Sequence, residues 1–188
     1  MTREIILSEH FKLTEFTHSA TAQAKGIDNS LDVTASDHAK MIVNNLHQLC
    51  VHVLEPLRRH FNIPVTISSG YRNPILNAII GGVKNSQHIV GEAADIRPPR
   101  RSSQGKPFTE LERRTIFSMW FSWLMKQDFD QLILEKNMKS GIAWIHVSYR
   151  QDGKNRRQVI TSKESLSYSF FSPRKHPTGE PSPRDHSR

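Results

Sequence analysis

The stretch from Ser86 to Asp95 constrains this chain more than any other, because it holds a histidine and a carboxylate only seven positions apart. The two residues are His88 and Asp95, and imidazole nitrogens and carboxylate oxygens are both common zinc ligands. Between them, Gly91 tolerates a positive φ and predicts a sharp turn. Residues 93–96 then indicate a buried strand that carries Asp95 inward, where a lone carboxylate needs a partner or a metal.

Two ligands do not make a metal site, and a surface histidine beside a salt-bridged aspartate is an alternative. A third candidate lies downstream, since residues 142–149 are rich in β-branched and aromatic side chains and predict a strand around His146. A histidine in such a strand is often only packed or hydrogen-bonded. Together with His88 and Asp95, it would complete three protein ligands with a fourth position for water, which is the pattern of catalytic zinc.

These motifs carry a family resemblance. The pattern Ser-x-His-x-x-Gly-x-Ala-x-Asp, followed by a Trp-x-His strand, resembles the zinc D-alanyl-D-alanine carboxypeptidases and their phage endolysin relatives. The runs at 69–74, 81–82 and 11–29 are also similar to that family. The resemblance therefore extends over several separate motifs between Ser8 and Arg150.

The resemblance implies a zinc metallopeptidase that hydrolyses D-amino-acid-containing bonds of peptidoglycan, as a D-Ala-D-Ala carboxypeptidase or as a stem-peptide endopeptidase. One zinc ion would be held by His88, Asp95 and His146. The implied fold is α+β, with a small antiparallel sheet flanked by helices, as in the Hedgehog and DD-peptidase type. Small size and a basic tail favour a phage-type lysin. A non-catalytic, zinc-stabilised wall-binding or virion structural module is the alternative.

The general base is where the chain departs from the better-known relatives, many of which carry a glutamate three residues before the second zinc histidine. Ala143 occupies that position and cannot accept a proton. Glu135 matches a glutamate of the more similar relatives and is the predicted base. Its strand and that of His146 are expected to form an antiparallel hairpin, whose simple register would leave the two residues several positions apart. Glu92 is the reserve candidate and is expected to point to solvent.

Arg72 is the predicted contact for a substrate carboxylate, because a guanidinium can bind a carboxylate through two hydrogen bonds. The alternative is that Arg72 has a structural role and forms an ion pair with Glu15 or Asp95. Ser86 and Tyr71 are further candidates for substrate binding. Ser86 would donate to the substrate or orient the metal loop, and Tyr71 would contact the substrate or simply pack.

Hydrophobic periodicity predicts two helices that cover the sheet. Apolar residues at spacings of three and four predict a helix over residues 37–60, which Pro56 should kink. A capping box of Thr109 and Glu112 begins the second helix, over residues 110–126. The predicted buried face of the second helix comprises Leu111, Phe117, Trp120, Phe121 and Leu124.

A chain of 188 residues suits one domain with a tail. We expect residues 1–35 to form a mostly irregular N-terminal arm that packs on the domain. Residues 36–160 are expected to form the zinc peptidase domain, with a short edge strand at 159–160. Residues 161–188 are expected to be a basic, disordered tail, because they are rich in Ser, Pro and Arg.

The net charge of +8 indicates which kinds of partner the chain can bind. Residues 150–188 hold nine Lys or Arg and four Asp or Glu, so the basicity is concentrated at the C-terminus. Such a tail favours polyanions, and beside peptidoglycan peptides we expect anionic wall polymers as its partners. Nucleic-acid binding through the tail and the loop at 97–106 is a third interpretation, which we do not favour. We expect a monomer.

Two features bear on the compartment. No stretch reaches transmembrane length, and the apolar run at 5–7 is too short for the core of a signal peptide. We therefore expect synthesis in the cytoplasm without a signal peptide, and action in the cell wall, periplasm or virion after a separate release. The single Cys50 excludes an internal disulfide and is expected to be a buried thiol.

Overall fold

The computed structural model describes residues 4–136 and 143–161, so the predicted basic tail after Thr161 lies outside the described residues. The fold is α+β, as predicted. The helices are α1 (Leu13–Thr17), α2 (Ala20–Lys25), α3 (Asp37–Leu49), α4 (Glu55–Phe61), α5 (Pro74–Ile79) and α6 (Glu110–Leu124). The strands are β1 (Ile6–Ser8), β2 (Phe11–Lys12), β3 (Thr66–Ser69), β4 (Ala93–Arg97), β5 (Gln131–Lys136), β6 (Ala143–Ser148) and β7 (Gln158–Thr161).

A five-stranded sheet in the order β3-β4-β6-β5-β7 organises the molecule. Its neighbouring strands are antiparallel except for the β5–β7 pair, which is parallel. The β5–β6 pair confirms the predicted hairpin, and β7 confirms the predicted edge strand. Side chains alternate between the two faces of a strand. One face therefore enters the core through Ala94, Ile96, Leu132, Leu134, Ile145 and Val147, while the other face presents Asp95 and His146.

Helices α3 and α4 are joined by a π-helical segment, Cys50–Leu54, so the predicted helix over 37–60 is present but interrupted. Pro56 accounts for the interruption, because it lacks an N–H and its ring would collide with the carbonyl four residues earlier in a regular helix. The wider π turn accommodates both effects. Cys50 is fully buried, as expected, and burial raises the pKa of its thiol.

Helix α6 begins with the predicted capping box of Thr109 and Glu112. The prediction of its buried face was wrong at Leu111, which is 74% exposed, whereas Ile116 is buried. At 3.6 residues per turn, Leu111 lies roughly 120° around the helix from Phe117 and so falls outside the apolar stripe. No helix in the described part of the chain is long and apolar enough to cross a bilayer.

The N-terminal arm is more regular than its polar sequence indicates, since β1, β2, α1 and α2 all lie within it. Phe11 and Phe16 are buried and meet edge to face at 6.2 Å between ring centroids. The buried Asn29 donates from Nδ2 to the carbonyl of Tyr71 at 2.9 Å, and its Oδ1 accepts from the backbone N–H of Asn73 at 2.8 Å. These contacts attach the arm to the loop that carries Arg72.

Gly91 adopts φ +74°, which confirms the predicted turn between His88 and Asp95. A Cβ on this residue would lie 2.6 Å from the backbone oxygen of Ile42 on α3. We therefore expect Gly91→Ala to cost about 2–4 kcal/mol of unfolding free energy, from left-handed strain together with overpacking. Gly105 has φ +81° but nothing within 4 Å of such a Cβ, so Gly105→Ala should cost only about 1–2 kcal/mol.

Urea unfolding of the two alanine variants beside the unaltered protein measures this difference. If the two variants lost equal amounts of unfolding free energy, steric contact between α3 and the turn at Gly91 would not contribute to the cost.

Candidate metal centre

Three buried side chains converge although they come from distant parts of the chain. His88 lies in the turn that precedes β4, Asp95 lies on β4, and His146 is paired directly with Asp95 across the β4–β6 ladder. The exposed fractions of His88, Asp95 and His146 are only 2%, 6% and 7%. The predicted metal ligands are thus brought together, and they form a group able to hold a metal ion.

The spacing of the three donor atoms fits a small divalent cation. His88 Nε2 lies 3.1 Å from His146 Nδ1 and 3.2 Å from Asp95 Oδ1, and the last two atoms are 3.0 Å apart. A tetrahedral zinc site with bonds of 2.0–2.1 Å has neighbouring donors about 3.3 Å apart. Three lone-pair atoms this close, away from water, repel one another unless a cation or a shared proton lies between them. Two imidazoles and one carboxylate are also a donor set that suits zinc.

His88 is held in the form that binds a metal. Its Nδ1 lies 2.7 Å from the carbonyl oxygen of Gly70 and donates to it, so the lone pair of Nε2 faces Asp95 and His146. Burial lowers the pKa of His88, which favours the neutral ring. The Gly70 carbonyl is fixed in turn by the arm, because a Cβ at Gly70 would lie 2.6 Å from the Cα of Phe16.

Asp95 uses its two oxygens for different partners. Oδ1 faces the histidines, and Oδ2 accepts from Nη2 of Arg72 at 2.6 Å. Burial alone would raise the pKa of Asp95, but the adjacent His88 and His146 outweigh it and hold the pKa well below its usual range. Arg72 Nε also donates to Ser69 Oγ at 2.8 Å. The pairing of Arg72 with Asp95, which was its structural alternative, is therefore present, and its contact with substrate stays a prediction.

Glu135 lies on the same face of the sheet as the metal group. Ile133 is paired with His146 and Glu135 with Trp144, so Glu135 is a diagonal neighbour of His146 at about 7–8 Å between Cα atoms. In the observed register, Glu135 lies closer to His146 than it would in the simple hairpin register that was expected. Its carboxylate is partly buried and accepts a hydrogen bond from the Trp144 side chain. Burial, followed by the negative charge of Asp95, raises the pKa of Glu135 and so strengthens it as a base.

The other predicted residues occupy different settings. Tyr71 is 8% exposed, belongs to the hydrophobic core and has a pKa raised by burial. The carbonyl of Ser86 accepts from the backbone N–H of Ile89 at 3.0 Å and closes the turn around His88. Glu92 was expected to point to solvent. It is instead partly buried, and its Oε2 accepts a hydrogen bond from Gln87 Nε2 at 3.1 Å.

A polar network that sequence reasoning missed supports the metal loop. Gln87 also donates to Oδ2 of Asp130 at 3.0 Å, and Asp130 is fully buried. Arg156 donates to Asp130 from both its backbone and its guanidinium. The network links the loop beside His88 to β5 and to the segment before β7. Gln87 and Asp130 are 43 residues apart in the sequence, and Asp130 and Arg156 are 26 residues apart. No local motif indicated that these residues meet.

A second group, Glu9, His10 and Glu55, also lies close together, but the fold accounts for it. Glu55 is buried and accepts from both the backbone N–H and Nδ1 of His10. Glu9 pairs with Arg59 at 3.0 Å. These contacts attach the arm to α4.

A comparison with known families agrees with the geometry. The family model described as Peptidase M15 matches residues 9–117, which is more than half of the chain. The matched stretch contains Arg72, His88 and Asp95 but ends before Glu135 and His146. No curated protein matches this chain.

Proposed function

The chain belongs to the peptidase M15 family, whose members are zinc-dependent peptidases, and we propose that it hydrolyses D-amino-acid-containing peptide bonds of peptidoglycan. The reaction is that of a D-Ala-D-Ala carboxypeptidase or a stem-peptide endopeptidase. The proposed setting is that of a phage-type lysin, acting at the cell wall or from a virion. The observation that carries the proposal is the convergence of His88, Asp95 and His146 into one buried donor group.

In this proposal, one Zn²⁺ would be held by His88 Nε2, Asp95 Oδ1 and His146 Nδ1. When bound there, the ion would supply Lewis-acid chemistry, which activates water and polarises a carbonyl. Glu135 takes a proton from the attacking water and passes it to the leaving nitrogen, which is the work of a general base and then a general acid. The hydrogen bond from Trp144 orients its carboxylate for both transfers.

Around this centre the proposal assigns substrate contacts to Arg72, Ser86 and Tyr71. Arg72 retains N–H groups beyond those used by Asp95 and Ser69, because a guanidinium carries five donors. These donors support its role at a substrate carboxylate. Tyr71 contributes chiefly by holding the loop in place, since it packs in the core.

The test is to incubate the zinc-loaded protein with purified peptidoglycan and with a short D-Ala-D-Ala peptide, and to follow released amines and peptides. We expect zinc-dependent release that a chelator stops and that added zinc restores. Zinc bound to a folded protein with no release from either substrate would instead favour the non-catalytic wall-binding module. Analysis of the released ends distinguishes carboxypeptidase from endopeptidase cleavage.

A further inference from the structure

Asp130 lies where the β5–β6 hairpin meets the turn of residues 86–92 that carries His88. It is fully buried and comes directly before β5, the strand of Glu135. Its backbone N–H donates to the carbonyl of Ser148 at 2.8 Å, and Ser148 lies two residues after His146 on β6. Asp130 is therefore fixed both to the strand of the proposed base and to the strand of the third metal ligand.

The carboxylate of Asp130 is held in one orientation by Arg156. Its Oδ1 accepts from the backbone N–H and from Nε of Arg156, at 3.1 and 2.9 Å, and its Oδ2 accepts from Nη2. Burial raises the pKa of Asp130, but the hydrogen bonds and the charge of Arg156 outweigh it and lower the pKa. The carboxylate is therefore ionised, and an ionised acceptor makes stronger hydrogen bonds than a neutral one.

The side chain of Gln87, which directly precedes His88, donates two hydrogen bonds that differ in what they join. One goes from Nε2 to Oε2 of Glu92 at 3.1 Å. Glu92 belongs to the same turn, since its backbone N–H donates to the carbonyl of Gln87 at 3.0 Å, so this bond closes the turn on itself. The other goes to Oδ2 of Asp130 at 3.0 Å and attaches the turn to the sheet.

His88 is attached on its other side to the loop that follows β3. Its Nδ1 donates to the carbonyl of Gly70 at 2.7 Å, and its own carbonyl accepts from the backbone N–H of Arg72 at 3.2 Å. These contacts hold His88 to β3, whereas Glu135 and His146 belong to the β5–β6 hairpin. The hydrogen bond from Gln87 to Asp130 connects the two sides next to the metal ligand.

We propose that Asp130 is a positioning residue of the metal centre, which through Gln87 sets the distance of His88 from His146 and from Glu135. His88 Nε2 and His146 Nδ1 lie only 3.1 Å apart, and a site of this kind needs its groups held to within about 0.5 Å. Groups that orient metal ligands contribute about 10- to 100-fold to metal affinity or activity. The expected effect on catalysis rests on the proposed function, whereas the effect on metal affinity does not require hydrolysis.

The first test is Gln87→Met, which removes the amide but nearly keeps the length of the side chain. Zinc affinity, measured by competition with a coloured chelator, should fall by about 10- to 100-fold. The visible absorption of the protein loaded with Co²⁺ should change, because it reports the ligand geometry. With zinc in excess, kcat for a D-Ala-D-Ala peptide should fall by about 10-fold and KM should hardly change, since Gln87 is not among the proposed substrate contacts.

Asp130→Asn isolates the contribution of Asp130. The asparagine keeps one oxygen for Arg156 but turns an NH₂ group toward the amide of Gln87, so that two donors face each other. We expect the same loss of zinc affinity and the same change in the Co²⁺ spectrum. The double variant should lose no more than the weaker-binding single variant, because both substitutions break one hydrogen bond. If Asp130→Asn does not fold, Gln87→Met still decides the proposal, since Gln87 lies in a partly exposed turn.

Glu55→Gln is the matched control, because Glu55 is also a buried, hydrogen-bonded carboxylate but joins α4 to the arm through His10. It should lower thermal stability and leave zinc affinity and the Co²⁺ spectrum unchanged. Unchanged affinity and spectrum in Gln87→Met would overturn the inference, and so would additive losses in the double variant or an equal change in Glu55→Gln. If the unaltered protein bound zinc without hydrolysing either substrate while the variants bound it more weakly, only the proposed function would fail.

Discussion

Glu135→Gln is expected to lower kcat by about 10²- to 10⁴-fold while the protein keeps its zinc and its fold, because glutamine has nearly the same shape but cannot accept a proton. Glu135 is partly buried, accepts from the Trp144 side chain and lies diagonally across the strand pair from His146. The measurement is the steady-state rate with a D-Ala-D-Ala peptide, together with metal analysis of the same sample.

Glu92→Gln is the control, since Glu92 is the other carboxylate considered as a base. Its carboxylate is held by Gln87, and we expect this variant to retain most of its activity. Loss of turnover in Glu92→Gln with full turnover in Glu135→Gln would assign the base to Glu92. Full turnover in both variants would remove both carboxylates from the chemistry.

His88→Ala is expected to abolish tight zinc binding and, with it, hydrolysis. The substitution removes one of three donors and leaves only Asp95 Oδ1 and His146 Nδ1, which lie 3.0 Å apart. Loss of a group that only orients a ligand costs about 10- to 100-fold in metal affinity, and loss of the ligand itself should exceed that range. Metal content after dialysis and a competition titration with a coloured chelator measure the change.

His38→Ala controls for the removal of an imidazole, because His38 is exposed near the start of α3 and lies outside the donor group. Its zinc content should equal that of the unaltered protein. If His88→Ala bound zinc as tightly as the unaltered protein, the donor group would not be the metal site, and the proposed mechanism would fail with it. Circular dichroism of both variants shows whether either has lost its fold.

Much of the architecture could be predicted from the sequence, because these elements depend on residues that are close together along the chain. The spacing of apolar residues predicted α3 and its buried face, and Pro56 predicted the interruption of the helix. Gly91 predicted the turn, and the β-branched run around His146 predicted β6. The error at Leu111 arose because it is apolar but lies off the periodic stripe of α6.

The sequence also indicated which side chains form the metal group, because His88 and Asp95 fall within one short motif and His146 lies in a clear strand. Their assembly depends on the β4–β6 register, which pairs Asp95 directly with His146. A shift of one residue would turn one of them into the core, which the alternation of apolar and polar residues in both strands disfavours. A shift of two residues would keep both faces but would separate Asp95 from His146, and the alternation does not exclude it.

Only the tertiary structure decided which groups support the site. The carbonyl of Gly70 orients His88, Asp130 supports the loop through Gln87, and Arg72 pairs with Oδ2 of Asp95. These relations join residues that are distant along the chain, and they arise from strand order, burial and charge rather than from local pattern. The residue types that bind and react can therefore be predicted from short motifs, whereas orientation and charge balance depend on the packed fold.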